Sequence, residues 1–132
     1  MKLEKDILNQ YEKFCKEADK LLEEEKAVEA IYKFQEALSI LPEGDWDCEV
    51  YAFAGIGEAY QELGDYEKAF TAFLACLDTE EKNNPYIIMN MGICFYHLNN
   101  IEEAKKFLYI AYDFGGEEVF EGAEEYLKLV DR

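Results

Sequence analysis

Histidine, proline and positive charge are scarce in this sequence, and each shortage excludes something. There is one histidine, His97, so a histidine-based triad would have that residue alone to use, and no cluster of histidine ligands can form. Its position, late on a helix, suits an ordinary rim residue. The two prolines leave long stretches free to run as helix. Thirteen basic residues face 30 acidic ones, for a net charge of −17. Such a chain repels nucleic acid phosphates and anionic membrane surfaces, which argues against both as partners. The four cysteines (Cys15, Cys48, Cys76 and Cys94) are widely spaced, with no CxxC pair. That spacing speaks against a disulfide framework or a zinc site and for reduced thiols. No apolar run approaches the roughly 20 residues that span a bilayer, and MKLEKDILNQYEKF has no apolar core of a signal peptide, so a cytoplasmic location is expected. Phosphate-binding glycine loops, HExxH and GxSxG are missing, and the acids at 78–81 are not spaced like a calcium loop. We therefore expect no catalytic residue, no metal and no cofactor.

What remains is a repeat. Half of the 132 residues are hydrophobic and 15% are aromatic, enough for a packed core and unlike a disordered acidic tail. Gly57 to Leu77 aligns with Gly92 to Tyr112 at an offset of 35. Gly57 falls on Gly92, Tyr60 on Phe95, Leu63 on Leu98, Ala69 on Ala104, Phe73 on Leu108 and Cys76 on Ala111. A third copy, Ala18 to Leu38, precedes these at an offset of 39, with Ala30, Phe34 and Ala37 on the positions of Ala69, Phe73 and Cys76. An insertion, PEGDWDCE at 42–49, accounts for the longer step. It carries Trp46, which either packs locally or marks a contact.

Each copy reads as two helices around a tight turn. Small residues fall where helices must cross closely (Ala18, Gly57 and Gly92 on the first, Ala30, Ala69 and Ala104 on the second). Gly64 suits a left-handed helix end, Asn99 tolerates one, and Glu25 at that place predicts a strained or longer turn. The spacing predicts helices over 3–25, 27–41, 48–63, 66–80, 85–98, 101–114 and 118–130. The last carries Val119, Phe120, Ala123, Tyr126, Leu127 and Val130 at three- and four-residue intervals and suits a solenoid end cap.

These residues resemble the tetratricopeptide repeat, W-x2-L-G-x2-Y then A-x3-F then P. The second copy matches with Phe53, Ile56, Gly57, Tyr60, Ala69 and Phe73, and the third with Ile88, Met91, Gly92, Phe95, Ala104 and Leu108. The first is weaker at its start but ends on Pro42. The resemblance implies an all-α, right-handed solenoid of three helix pairs plus a C-terminal capping helix. It would be one domain, 1–132, with repeats at about 11–44, 50–83 and 85–118 and the cap at about 118–130.

In that family the first helix of each repeat lines the inner, partner-holding face. Carried over by position, the resemblance places Glu12, Cys15, Asp19, Leu22 and Glu23 there from the first copy. The second gives Tyr51, Ala54, Glu58, Gln61 and Glu62. The third gives Tyr86, Met89, Asn90, Ile93, Tyr96 and His97, and the closing helix Phe120, Glu124 and Leu127. One end of this face would be acidic and the other aromatic and apolar. Exposed residues of the second kind suggest docking; the alternative is that Tyr86, Ile93 and Phe120 seal the solenoid against the closing helix.

Co-chaperone members of the family grip a carboxyl terminus with Lys, Asn and Arg. Here Cys15, Asp19, Gly55, Tyr86 and Asn90 hold those positions, which disfavours a carboxylate ligand. The chain further resembles small, acidic, stand-alone bacterial tetratricopeptide proteins encoded beside polymorphic toxins, through GDWDCEVYAF, NNPYIIMNMGICF and YDFGGEEVFEG. That likeness implies a non-catalytic protein that binds and inhibits a basic partner, such as a toxin domain, in the manner of an immunity protein. Two other roles stay open: a generic scaffold, and a secretion chaperone holding an extended peptide.

Overall fold

The computed structural model describes residues 3–44, 46–77 and 83–130. Six α-helices run in order: α1 Lys5–Glu23, α2 Ala27–Ser39, α3 Glu49–Glu62, α4 Tyr66–Cys76, α5 Pro85–His97 and α6 Ile101–Gly115. They form three antiparallel hairpins, α1–α2, α3–α4 and α5–α6, and each hairpin packs on the next through α2–α3 and α4–α5. No strand occurs among the described residues. The expected helix end at 78–80 lies outside them, as do the acids at 78–81.

The three hairpin turns are built alike. Glu25 (φ 61°), Gly64 (φ 78°) and Asn99 (φ 66°) all take the left-handed conformation. In each, the residue that follows donates its N–H to a carbonyl five residues back: Lys26 to Leu21 at 2.8 Å, Asp65 to Tyr60 at 2.9 Å and Asn100 to Phe95 at 2.9 Å. These bonds satisfy carbonyls that a helix end leaves open. The first turn is therefore strained but not longer, because the same hydrogen bonds close it. Asp65 and Asn100 then cap the next helices, accepting from Lys68 N–H at 3.2 Å and Glu103 N–H at 3.4 Å. Lys26 has no such side chain, and α2 begins uncapped.

The core sits where the repeat puts it. Ala18, Ala30, Ala69, Ala104, Phe34, Phe73, Leu108, Ala37, Cys76 and Ala111 are all fully buried. Two glycines press α3 between neighbours. A Cβ on Gly55 would lie 2.3 Å from Phe34 Cζ, and one on Gly57 would lie 2.6 Å from Phe73 Cζ. The insertion is held from both sides. Trp46 is buried and its indole N–H donates to the Pro42 carbonyl at 2.8 Å, so it packs locally. From α1, the Tyr11 hydroxyl donates to the Cys48 carbonyl and accepts the Ala52 N–H at 3.3 Å.

The closing segment differs from the single α-helix expected over 118–130. It forms two 3₁₀ turns, Glu117–Phe120 and Glu124–Leu129, broken at Gly122 with φ 84°. A second left-handed glycine, Gly116 at φ 70°, starts it. Fifteen residues with two such points cannot continue one helix, and 3₁₀ turns are the short alternative. The segment still covers the end of the stack: Phe120 and Val130 are buried with Ile88, Met89, Ile93, Leu108 and Ala111.

Candidate functional site

The first helices of successive hairpins adjoin along one face, tied by side chains that reach across. The Tyr51 hydroxyl on α3 donates to the Asp19 carboxylate on α1. The Tyr86 hydroxyl on α5 donates to the Glu58 carboxylate on α3. These are equivalent rungs, because Asp19 and Glu58 are 39 residues apart, Tyr51 and Tyr86 are 35 apart, and the insertion explains the difference. The Asp19 carboxylate, and then burial, push the Tyr51 hydroxyl up to about 12. Burial beside Glu58 pushes Tyr86 higher still. Burial also raises Glu58 above the usual carboxylate range, against the lowering effect of the Tyr86 hydrogen bond. At neutral pH both tyrosines stay protonated and donate.

The acids expected at one end of the face differ in exposure. Glu12, Glu23 and Glu62 are exposed, while Asp19, Glu58 and Gln61 are half-buried. Ion pairs among the described residues involve Lys33, Lys68 and Lys106 on α2, α4 and α6, with Glu17, Glu36, Asp65 and Glu103 as partners. None engages the five acids of this face. Helices α3 and α5 carry no lysine or arginine. Carboxylates are not confined here, however: Glu29, Glu36, Glu67 and Glu102 are exposed on the second helices.

The aromatic and apolar end is smaller than the sequence suggested. Phe120 (0% exposed), Met89 (3%), Asn90 (5%) and Ile93 (8%) are buried rather than displayed. The closing segment folds over them, as the alternative reading held for Ile93 and Phe120. Tyr86 (39%) remains exposed, and so do Tyr51, Tyr96, His97 and Glu124. His97 is more than a rim residue. Its ring stacks on Tyr66 with centroids 4.2 Å apart and planes within 9°, and its Nε2 lies 2.7 Å from the Tyr126 hydroxyl. Tyr96 meets both His97 and Tyr126 edge-on.

Two depressions lie on this face. One, about 320 Å³ and mainly apolar, is lined by Leu8, Tyr11, Cys15, Cys48 and Tyr51 with Glu12 and Lys16 at its edge. Burial pushes the Cys15 thiol up to about 11 and that of Cys48 upward, so neither is an activated thiolate. Cys76 and Cys94 are buried in the core, with thiols raised to about 12 and about 11 by burial. The other cleft, about 290 Å³, lies between α5, the end of α3 and the closing segment. Tyr66, Tyr86 and Tyr126 line it, with the amides of Gln61 and Asn90 and with Glu121, Gly122 and Ala123 of the closing segment. Of these, Tyr66, Glu121, Gly122, Ala123 and Tyr126 were not among the predicted site residues. The amphipathic pattern of the closing segment marked Tyr126, but nothing local marked Tyr66. Among the described residues no group of three or more His, Cys, Asp or Glu side chains could hold a metal ion, and no helix is long and apolar enough to cross a membrane.

Comparison with solved structures places this architecture. The C-terminal TPR-containing domain of a Plasmodium falciparum protein described as an FK506-binding protein superposes with a TM-score of 0.75, at 21% identity, over 92% of this chain and 89% of that one. The fold is tetratricopeptide-like. Folds of this kind typically serve as protein–protein interaction modules. No protein-family model and no curated protein matches the sequence.

Proposed function

We propose that this chain is a non-catalytic binding module whose α1–α3–α5 face takes a basic protein and inhibits it, in the manner of a bacterial toxin immunity protein. The observation that carries the reading is the set of acids Glu12, Asp19, Glu23, Glu58 and Glu62. By the register of the first helices they fall on one face, and the lysine ion pairs among the described residues leave them unmatched. A partner's lysines and arginines would supply that charge, and at low salt they would be drawn in quickly. Nuclease-type toxins are basic because they bind phosphates, which makes them suitable targets. Nucleic acid and membrane remain unsuitable partners for a chain of net charge −17. The site residues are those of the face that are accessible: Glu12, Asp19, Glu23, Tyr51, Glu58, Gln61, Glu62, Tyr86, Tyr96, His97 and Glu124.

The test is a pull-down with a panel of cationic toxin domains and an acidic control, at low and moderate salt. Capture of a cationic domain that weakens with salt supports the reading. Capture of the acidic control alone overturns it. A second reading, a chaperone for an extended apolar segment, is favoured by the apolar depression at Leu8, Cys15 and Tyr51. The product of the neighbouring gene, a toxin or an injection-system component, separates the two.

A further inference from the structure

The cleft under the closing segment has an unusual balance of hydrogen-bonding groups. The Gln61 amide nitrogen places one of its two hydrogens on Cys94 Sγ at 3.7 Å, and that of Asn90 one on the Tyr86 carbonyl at 2.9 Å, which orients each amide. Both amides therefore offer their oxygens. The Tyr86 hydroxyl proton is committed to Glu58, and the Tyr126 hydroxyl is engaged by His97. Glu121 is also among the lining residues, and no lysine or arginine lines the cleft. The lining is thus rich in oxygen acceptors and tyrosine side chains and holds no cationic group. A complementary group brings donors and no acceptors, carries positive charge, and is flat enough to lie against an aromatic ring. At about 290 Å³ the space is at the lower limit of small-molecule pockets and suits one side chain.

From this we infer that the cleft is a pocket for a single arginine side chain of the partner. The inference rests on the reading of a basic partner and adds the chemistry of one contact. Arginine fits better than lysine. Its guanidinium stacks on tyrosine while directing separate N–H groups at the Gln61 and Asn90 oxygens and at Glu121, whereas an ammonium is a compact point charge. Gly122, at φ 84°, turns the chain between the two 3₁₀ segments, and both it and Glu121 line the cleft.

The experiment is amide NMR on the isotope-labelled full chain at low salt, titrated with the peptides Gly-Ser-Arg-Ser-Gly, its lysine analogue and its citrulline analogue. Citrulline keeps the shape of arginine and removes the charge. Shifts at Gln61, Asn90, Gly122 and Tyr126 with arginine, absent with citrulline and about tenfold weaker with lysine, support the pocket. Tyr126→Leu should weaken arginine binding about tenfold, and Tyr126→Phe should retain most of it. Gln61→Leu, which removes one acceptor and leaves the rings, serves if Tyr126→Leu does not fold. Equal shifts with citrulline, or arginine shifts confined to Glu12, Asp19, Glu23 and Glu62, overturn the pocket. Polylysine is titrated in parallel. If it shifts the acidic residues while no arginine shift reaches the cleft, the pocket fails and the basic-partner reading stands. If neither ligand shifts the face, both fail.

Discussion

Replacing Gly57 by alanine tests the packing on which the whole face depends. A methyl group there would stand 2.6, 2.7 and 2.9 Å from three carbons of the Phe73 ring, all below the 3.0 Å that real contacts respect. To regain the 3.4 Å of ordinary contact, ring and helix must part by about 0.8 Å. The ring has little room to move, since Phe73 is fully buried among Ala69, Cys76, Ile87, Met91 and Cys94. Overpacking of this kind costs about 1–3 kcal/mol. Alanine returns up to about 1 kcal/mol through its better helix propensity. The net expectation is a loss of about 1–2 kcal/mol, read in thermal denaturation as a midpoint lower by roughly 4–8 °C for a chain of this length. Phe73→Leu alone leaves a void and is also destabilising, but the double variant should be more stable than the sum of the two losses by about 1 kcal/mol. At Gly92 the contacts are longer, with Leu108 Cγ at 3.0 Å, Cδ2 at 3.1 Å and the Leu108 backbone nitrogen at 3.2 Å, so Gly92→Ala should cost less. A Gly57→Ala protein that melts at or above the parent temperature, or shows no coupling to Phe73, would refute this account of why the position is small.

Three further outcomes are expected. Glu25→Gly removes the strain of a left-handed glutamate at φ 61° and should raise stability by about 1 kcal/mol in urea titration, whereas Gly64→Ala should lower it. Folding raises the Glu58 pKa, so the native state holds that proton more tightly than the unfolded chain does. Stability should therefore rise as pH falls toward the carboxylate range, and Glu58→Gln should raise the pH 7 midpoint and flatten this dependence. Tyr51 and Tyr126, each raised from 10.0 to about 12, have the matching effect in alkali. The stability they contribute is complete below pH 10 and lost as pH climbs toward 12, and Tyr51→Phe should reduce the drop across that interval.

The hairpins were legible in the sequence because their demands are local and steric. Ala30, Ala69 and Ala104 fall at equivalent offsets, and all three are fully buried. The close approach of Gly55 to Phe34 was not legible, because it joins two hairpins and falls outside the glycine position of the repeat pattern. In the closing segment the apolar spacing fits an α-helix as well as two 3₁₀ turns, and only Gly122 signalled the break. The acidic residues of the face followed from the register of the first helices. The same register placed Tyr51 and Tyr86 there but not their pairing with the acids, since the Asp19–Tyr51 and Glu58–Tyr86 contacts join residues 32 and 28 apart and depend on side-chain reach between hairpins. The burial of Met89 was missed, and that of Ile93 and Phe120 stood only as an alternative, for a related reason: periodicity marks a residue as facing inward or outward on its own helix but does not say whether another segment will lie across it.

Trp46, the single tryptophan, is clamped at the joint between the first and second hairpins by its bond to the Pro42 carbonyl. Its fluorescence is thus a local gauge of that joint, while circular dichroism averages over every helix. In a stack whose units touch only their neighbours, the two signals need not change together. If emission shifts at a lower denaturant concentration than helicity is lost, the molecule comes apart first at this seam, and one unfolding free energy no longer describes it.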